Sequence, residues 1–397
     1  MSRFDTIKQR EESLLCRTYT RYPVAVKNGK GCRLWDFDGK EYIDLLAGIA
    51  VTGLGHANEE IARVMQEQAK KLLHVSNLFY QEEQLDLAER LLATNHCDKA
   101  FFCNSGAEAN EAAFKLARRY NQRVKENGAF EIISLTNCFH GRTLAAIAAT
   151  GPRFQDGFAP VPAGFIQVAS GDIDALEAAI TEKTAAVIME MVQGEGGVMP
   201  LDPVYVKAAY ALCREKGTLF IADEVQAGLC RTGKWWAFQH HGIQPDIVTC
   251  AKALANGLPM GAMMTTNEIA QGFAAGSHAT TFGAGAFVSA VACKTLEIME
   301  RDNLAEKAGS IGEWAMNRFR EVAAKLPGSI REVRGQGLFI GIVLTKSGKE
   351  VWEKLIHRGF LLNLTQEKVL RLLPALIIEK TDLEKFAVAL EEVLQEK

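Results

Sequence analysis

The sequence predicts an α/β protein, with a large domain on a mostly parallel sheet and a smaller α+β domain built from both chain ends. Three observations lead there. Six short apolar runs between residues 100 and 264 are mostly separated by helical stretches, as βαβ units require. The first 56 residues read instead as a β meander. Beyond about residue 295 the texture turns to mixed α+β.

In chain order, the start Met1–Arg10 is polar and lacks the apolar core of a signal peptide. Cys32–Asp36 and Glu41–Leu46 flank Asp38-Gly39, a hairpin signal. Ile61, Met65, Ala69 and Leu72 mark one apolar helical face. The expected strands are Ala100–Cys103, Ile132–Leu135, Ala185–Met189, Leu219–Ala222, Ile247–Cys250 and Gly261–Met264. Thr381 and Glu384 form a capping-box pattern before a helix carrying Leu383, Phe386, Leu390 and Val393 on one face. The expected division is therefore 1–56 and 296–397 in the small domain, with 57–295 in the large one.

Composition narrows the function. Of 397 residues, 48% are hydrophobic and 23% charged, with a net charge of −3, so nucleic acid and membrane surfaces are not expected partners. No apolar run approaches membrane-spanning length. Nine cysteines without framework or metal spacing suggest a reducing compartment, and a cytoplasmic location is expected.

Asp223 and Lys252 each follow an apolar run that reads as a parallel strand, and ligands of open α/β sheets collect at the carboxyl ends of strands. An anion and an amine delivered to that edge match the needs of pyridoxal phosphate: a counter-charge for its pyridine nitrogen and a nucleophile for its aldehyde. A solvated surface lysine is the plainer alternative. Ser105 opens a helix with Glu108 three positions later, which is a capping box, while the free N–H groups of Gly106 and Ala107 suit a phosphate. The two readings are compatible. No G-x-G-x-x-G and no G-K-[ST] occurs, so dinucleotide and P-loop cradles lose their support.

Phe139, just after a strand, can cover a flat ring, and Arg142 offers a fork for a carboxylate; core packing and a surface cation are the alternatives. His140 has no partner at ligand spacing, so no metal site is expected. Glu190 and Glu195 lie on a glycine-rich segment that reads as a flexible loop. Arg371 sits inside the apolar run Val369–Leu373 and needs an anion, either substrate or Glu195, unless it reaches water from an edge strand.

Together these segments resemble the class III pyridoxal-phosphate aminotransferases, and within them most closely the acetylornithine aminotransferases. The likeness spans Gly48–His56, His74–Tyr80, Asn104–Glu111, Phe139–Arg142, Asp223–Gln226, Arg231–Gly233 and Ala251–Lys252. It implies a type I pyridoxal-phosphate transferase fold and a homodimer with shared active sites. Lys252 would bond the cofactor and carry the proton, and Asp223 would pair with the pyridinium. Gln226 would bond the ring oxygen, Val225 and Phe139 would sandwich the ring, and Ser105, Gly106 and Ala107 would hold the phosphate. Thr281 would reach the phosphate of the neighbouring subunit, and Thr280 would stand near its substrate.

The resemblance also implies N-acetylornithine and 2-oxoglutarate as substrates in a ping-pong reaction of arginine biosynthesis. Arg142 would take the far carboxylate in both half-reactions. Arg371 would take the near carboxylate of the acceptor, with Glu195 neutralising it while the donor is bound. Other donors remain open (ornithine, succinylornithine, N-succinyl-diaminopimelate, 4-aminobutyrate or a carrier-linked lysine), as do an aminomutase and a non-catalytic relative of the same fold. Two departures from the family pattern stand out. Gly283-Ala-Gly-Ala286 replaces the usual Gly-Gly-Asn-Pro, and Met191 replaces a proline.

Overall fold

The computed structural model describes residues 2–396. Seventeen strands fall in chain order. They are β1 Val26–Lys30, β2 Arg33–Asp36, β3 Glu41–Asp44, β4 Lys99–Cys103, β5 Glu131–Leu135, β6 Phe165–Val168 and β7 Thr184–Met189. Then come β8 Val192–Gln193, β9 Met199–Pro200, β10 Leu219–Asp223, β11 Ile247–Cys250 and β12 Gly261–Thr265. The last five are β13 Ile330–Gln336, β14 Phe339–Leu344, β15 Phe360–Leu361, β16 Asn363–Thr365 and β17 Val369–Leu372.

The seven-stranded central sheet runs β4-β12-β11-β10-β7-β5-β6. β10 pairs in parallel with β11 and β7, and β5 with β7 and β6. β12 runs antiparallel to both β11 and β4, so the sheet is mostly rather than wholly parallel. Every residue of β7, β10, β11 and β12 is buried. Strands covered on both faces read as continuous apolar runs, which is why these were visible in the sequence. All six expected runs are strands of this sheet. The strand not foreseen is β6, a four-residue edge strand interrupted by Gln167.

The N-terminal hairpins form as expected, with β2 and β3 joined across Gly39 at φ +83°. Their sheet is closed by β15, which pairs in parallel with β3 through Phe360 opposite Ile43. The chain's two ends thus share one sheet. A second four-stranded sheet, β13-β14-β17-β16, is antiparallel throughout. Arg33 on β2 clasps Asp382 of the C-terminal helix with two bonds of 2.8 and 2.5 Å.

Three local expectations are corrected. The helix Glu59–Ala69 stops before Leu72, and Gln68 rather than Ala69 is buried, because its amide bonds Leu72 O and Glu83. The Thr381–Glu384 capping box does not form. The helix begins at Lys380, and Glu384 is drawn away to Arg318 by three bonds of 2.8 to 3.1 Å. The glycine-rich segment after Glu190 is not a loose loop: Met191–Gly194 are buried, and β8 pairs with β9. The Leu383, Phe386, Leu390, Val393 face is buried as read.

The helix Leu304–Lys325 lies against the turn between β13 and β14, and a Cβ on Gly312 would stand 2.0 Å from the carbonyl oxygen of Gly337. Helix propensity alone favours alanine there by roughly 1 kcal/mol. Overpacking against fixed backbone costs about 1–3 kcal/mol or more, so sterics win. Gly312→Ala is therefore expected to lower the thermal midpoint, measured by circular dichroism; an unchanged or raised midpoint would show that this contact is slack.

Candidate active site

A cavity of about 410 Å³ opens at the carboxyl ends of β4, β7, β10 and β11. The residues that close these strands line it: Asn104 and Ser105 after β4, Glu190 after β7, Asp223 at the end of β10, and Ala251 and Lys252 after β11. Phe139–Arg142, following β5, complete the wall. Parallel strands put these chemically distinct ends on one edge.

Asp223 is buried, with three donors around its carboxylate. Oδ2 accepts from Asn110 Nδ2 at 2.8 Å and faces His140 Nδ1 at 2.7 Å, while Oδ1 accepts from the N–H of Val225 at 3.0 Å. Burial opposes the ionised form, but His140, Val225 and Asn110 outweigh it, and the pKa lies below the ordinary aspartate value. Asn110 is fixed in turn: its amide also donates to His140 O at 2.8 Å, and its Oδ1 accepts from Thr249 Oγ1 at 2.7 Å. Sequence reading missed Asn110 and Thr249, and weighed His140 only as a metal ligand. The available signal was a polar residue on an otherwise apolar helix face and another inside an apolar strand.

Lys252 stands beside this anion without an ion pair or hydrogen bond among the described residues. Burial pulls its pKa below the ordinary lysine value, while Asp223, Glu190 and Glu195 pull the other way. The net direction favours a nucleophilic amine. Its backbone sits at φ +43°, a left-handed conformation that costs a non-glycine residue about 1–2 kcal/mol. Such strain persists where surrounding structure enforces it, often at functional sites. Glu190 accepts the Phe139 N–H at 2.9 Å, and burial raises its pKa above the ordinary glutamate value.

After β4, Ser105 caps the helix Gly106–Arg123, its Oγ accepting from Glu108 N at 3.2 Å. Glu108 does not close the box on Ser105; its carboxylate reaches Asn104 N at 2.6 Å and Asn104 Nδ2 at 2.9 Å. The N–H groups of Gly106 and Ala107, at the first two helical positions, have no acceptor within the helix and line the cavity. Gly106 must lack a side chain, because a Cβ there would lie 2.6 Å from Val225 Cγ1.

The C-terminal strands contribute Arg371. It is 1% exposed on β17, and its Nη1 donates to Glu195 Oε1 at 2.6 Å, the pairing read as one alternative in the sequence. Gln366 Nε2 holds the Glu195 carbonyl at 2.7 Å. Arg142 is exposed at the cavity mouth, with its guanidinium 4.3 Å above the Phe154 ring and 5.5 Å from that of Phe139. Thr280 and Thr281 do not line the cavity of their own chain. Thr280 Oγ1 accepts from Asn104 Nδ2 at 3.1 Å, and Thr281 is exposed. Among the described residues no cluster of three or more His, Cys, Asp or Glu side chains could hold a metal ion. No described helix is long and apolar enough to cross a membrane.

The family model for class III aminotransferases matches residues 15–394. The acetylornithine aminotransferase of Methanocaldococcus jannaschii is 44% identical over 97% of each chain, and that of Nostoc sp. is 42% identical over 95% of this chain and 91% of its own. Among solved structures, the ornithine aminotransferase of Toxoplasma gondii superposes with a TM-score of 0.95 at 31% identity, covering 99% of this chain and 95% of that one. The acetylornithine aminotransferase of Elizabethkingia anophelis gives 0.89 at 31% identity, with both chains fully covered.

Class III aminotransferases depend on pyridoxal 5′-phosphate, and the cavity fits it. An anion is held at the strand ends, an unpaired amine stands beside it, and free helix N–H groups wait at one end. Gln226 Oε1 is buried without a partner at the cavity wall. Removing Asn110 would strip one donor from Asp223 and orphan the Thr249 hydroxyl, at about 1–3 kcal/mol for a buried polar group left unpaired. Asn110→Ala is expected to lose stability of that order in denaturant unfolding without added cofactor; a loss below about 0.5 kcal/mol would mean water replaces the amide.

Proposed function

The chain belongs to the class III aminotransferases, and on that premise we propose that it is an N-acetylornithine:2-oxoglutarate aminotransferase of arginine biosynthesis. Its products are N-acetylglutamate 5-semialdehyde and glutamate, made in a ping-pong reaction. The observation that carries this reading is the Glu195–Arg371 pair, a buried cation neutralised by one displaceable carboxylate at 2.6 Å.

The donor presents a terminal amine with its carboxylate far from the reacting carbon. The acceptor presents one carboxylate beside the reacting carbon and one farther out. A single site handles both when Arg142 takes the far carboxylate each time and Arg371 is unmasked only for the acceptor. Glu195 covers Arg371 while the donor is bound, so that no charge is left buried and unpaired.

Bound pyridoxal phosphate supplies an aldehyde that takes up amino groups and a ring that withdraws electrons from the adjoining carbon. Asp223 would hold the ring nitrogen protonated, which would keep that withdrawal strong. Gln226 would hold the ring oxygen, Val225 and Phe139 would cover the ring, and Ser105, Gly106 and Ala107 would hold the phosphate. Lys252 secures the resting cofactor. Its Nζ, once released by the donor's amine, would accept the proton from the donor's terminal carbon and later deliver one to the acceptor's oxo carbon, beside the near carboxylate. These cofactor contacts come from a large domain of residues 57–295, and Arg371 from a small domain formed by 1–56 and 296–397.

The working form in this reading is a cytoplasmic homodimer, in which Thr281 reaches the partner's phosphate and Thr280 its substrate. Supporting this, Leu78, Phe79, Tyr80 and Phe282 expose large apolar side chains next to the threonine loop, which Asn77 ties down through Gly283 O at 3.0 Å. The nine cysteines are all free, which suits a reducing compartment.

The test is a panel of ω-amines mixed with the cofactor-loaded enzyme, following loss of the visible absorbance. N-acetylornithine is expected to react fastest; ornithine or 4-aminobutyrate reacting faster would overturn the substrate assignment. Arg371→Ala should slow the 2-oxoglutarate half-reaction by about 10- to 100-fold, the worth of a charged hydrogen bond, and the donor half-reaction far less. Equal losses in single-turnover measurements would contradict the exchange.

A further inference from the structure

Two buried polar atoms near Arg371 lack partners: its own Nε, and Oδ1 of Asn363. The two residues are directly opposed in the β16–β17 ladder, so their side chains leave the same face of the sheet. The orientation of Asn363 is set from the N-terminal segment. Its Nδ2 donates to the Tyr22 hydroxyl at 2.9 Å, which leaves Oδ1 as the free acceptor. Tyr22 is anchored in turn, its ring standing edge-on to Trp352 at 4.7 Å and 74°, and Trp352 Nε1 donates to Leu362 O at 2.8 Å. The phenol stays protonated: burial lifts its pKa above the ordinary value, against the pull of Asn363 and Arg371, with Glu195 adding to the rise. Tyr22 hydrogen-bonds neither member of the ion pair and reaches Arg371 only through Asn363.

We propose that Tyr22 and Asn363 are positioning residues for the acceptor: Tyr22 fixes the Asn363 amide so that its Oδ1 accepts the Arg371 Nε–H once Glu195 lets go, aiming the freed guanidinium at the acceptor's near carboxylate. The donor half-reaction, in which Glu195 stays on Arg371, makes no use of this contact. The inference rests on the Glu195–Arg371 exchange above and adds what holds the arginine during it. It also gives residues near the start of the chain a part in acceptor selection.

The test uses the full-length, cofactor-loaded enzyme with Tyr22→Phe, which keeps the ring on Trp352, and with Asn363→Ala. Two readouts are taken: single-turnover rates of each half-reaction, and calorimetric binding of glutarate, an inert five-carbon dicarboxylate. The expected result is a rise of about 3- to 10-fold in glutarate Kd and in the KM for 2-oxoglutarate, the worth of one hydrogen bond, with the donor half-reaction within about twofold of the parent. Arg371→Ala serves as reference and should abolish glutarate binding. If Arg371→Ala does so while Tyr22→Phe and Asn363→Ala leave glutarate binding unchanged, or slow both half-reactions alike, this inference fails and the exchange stands. If Arg371→Ala leaves glutarate binding intact, the exchange fails and this inference with it.

Discussion

One carboxylate, buried yet ionised, sets the terms for the rest of the site. Asp223 is 3% exposed at the end of a strand whose every residue is buried. An isolated charge there would be prohibitively costly. It is tolerated because a helix, a loop after β5 and its own turn converge donors on it through Asn110, His140 and the Val225 N–H. Those donors are themselves pinned, Asn110 by Thr249 on the next strand and the His140 main chain by the Thr150 hydroxyl at 2.9 Å. The parallel sheet is the device that brings these parts to one edge. The low pKa of Asp223 and the lowered pKa of Lys252 are consequences of that geometry, since the same burial acts on both and only Asp223 is fully satisfied.

The division of labour between the sheets follows. Groups that suit a cofactor end the strands of the central sheet, whose inner strands β7, β10, β11 and β12 are buried. Groups that suit substrates lie at the cavity mouth or on the C-terminal strands: Arg142 stacked on half-buried aromatics, and Arg371 on β17 within a separate antiparallel sheet. On the proposed reading, cofactor chemistry would stay fixed while Arg371 changes partner. The segment carrying Glu195 is held at its main chain by Gln366, while its carboxylate bonds Arg371.

Legibility in the sequence tracked the range of the forces involved. Strands β7, β10, β11 and β12 were plain because burial on both faces writes a continuous apolar run. β6 was not, being a short edge strand with a glutamine inside it. Capping boxes were misread where another partner competed for the carboxylate: Glu384 preferred Arg318, 66 positions away, and Glu108 preferred Asn104, just before the cap. Within the site, Asp223 and Lys252 were legible from their places at strand ends, and Arg371 because a lone arginine in an apolar run demands an anion. Asn110 and Thr249 were not, because their roles depend on a contact between a helix and a strand 139 positions apart. Tyr22 and Asn363, separated by 341 positions, lay further still beyond local pattern.

The account turns on which amine meets the cofactor. Reducing the cofactor-loaded protein with borohydride and mapping its peptides by mass spectrometry tests that directly. The account predicts a single phosphopyridoxyl adduct, on Lys252, whose yield falls in Asp223→Ala. An adduct on another lysine, or a yield at Lys252 indifferent to the loss of Asp223, would contradict it.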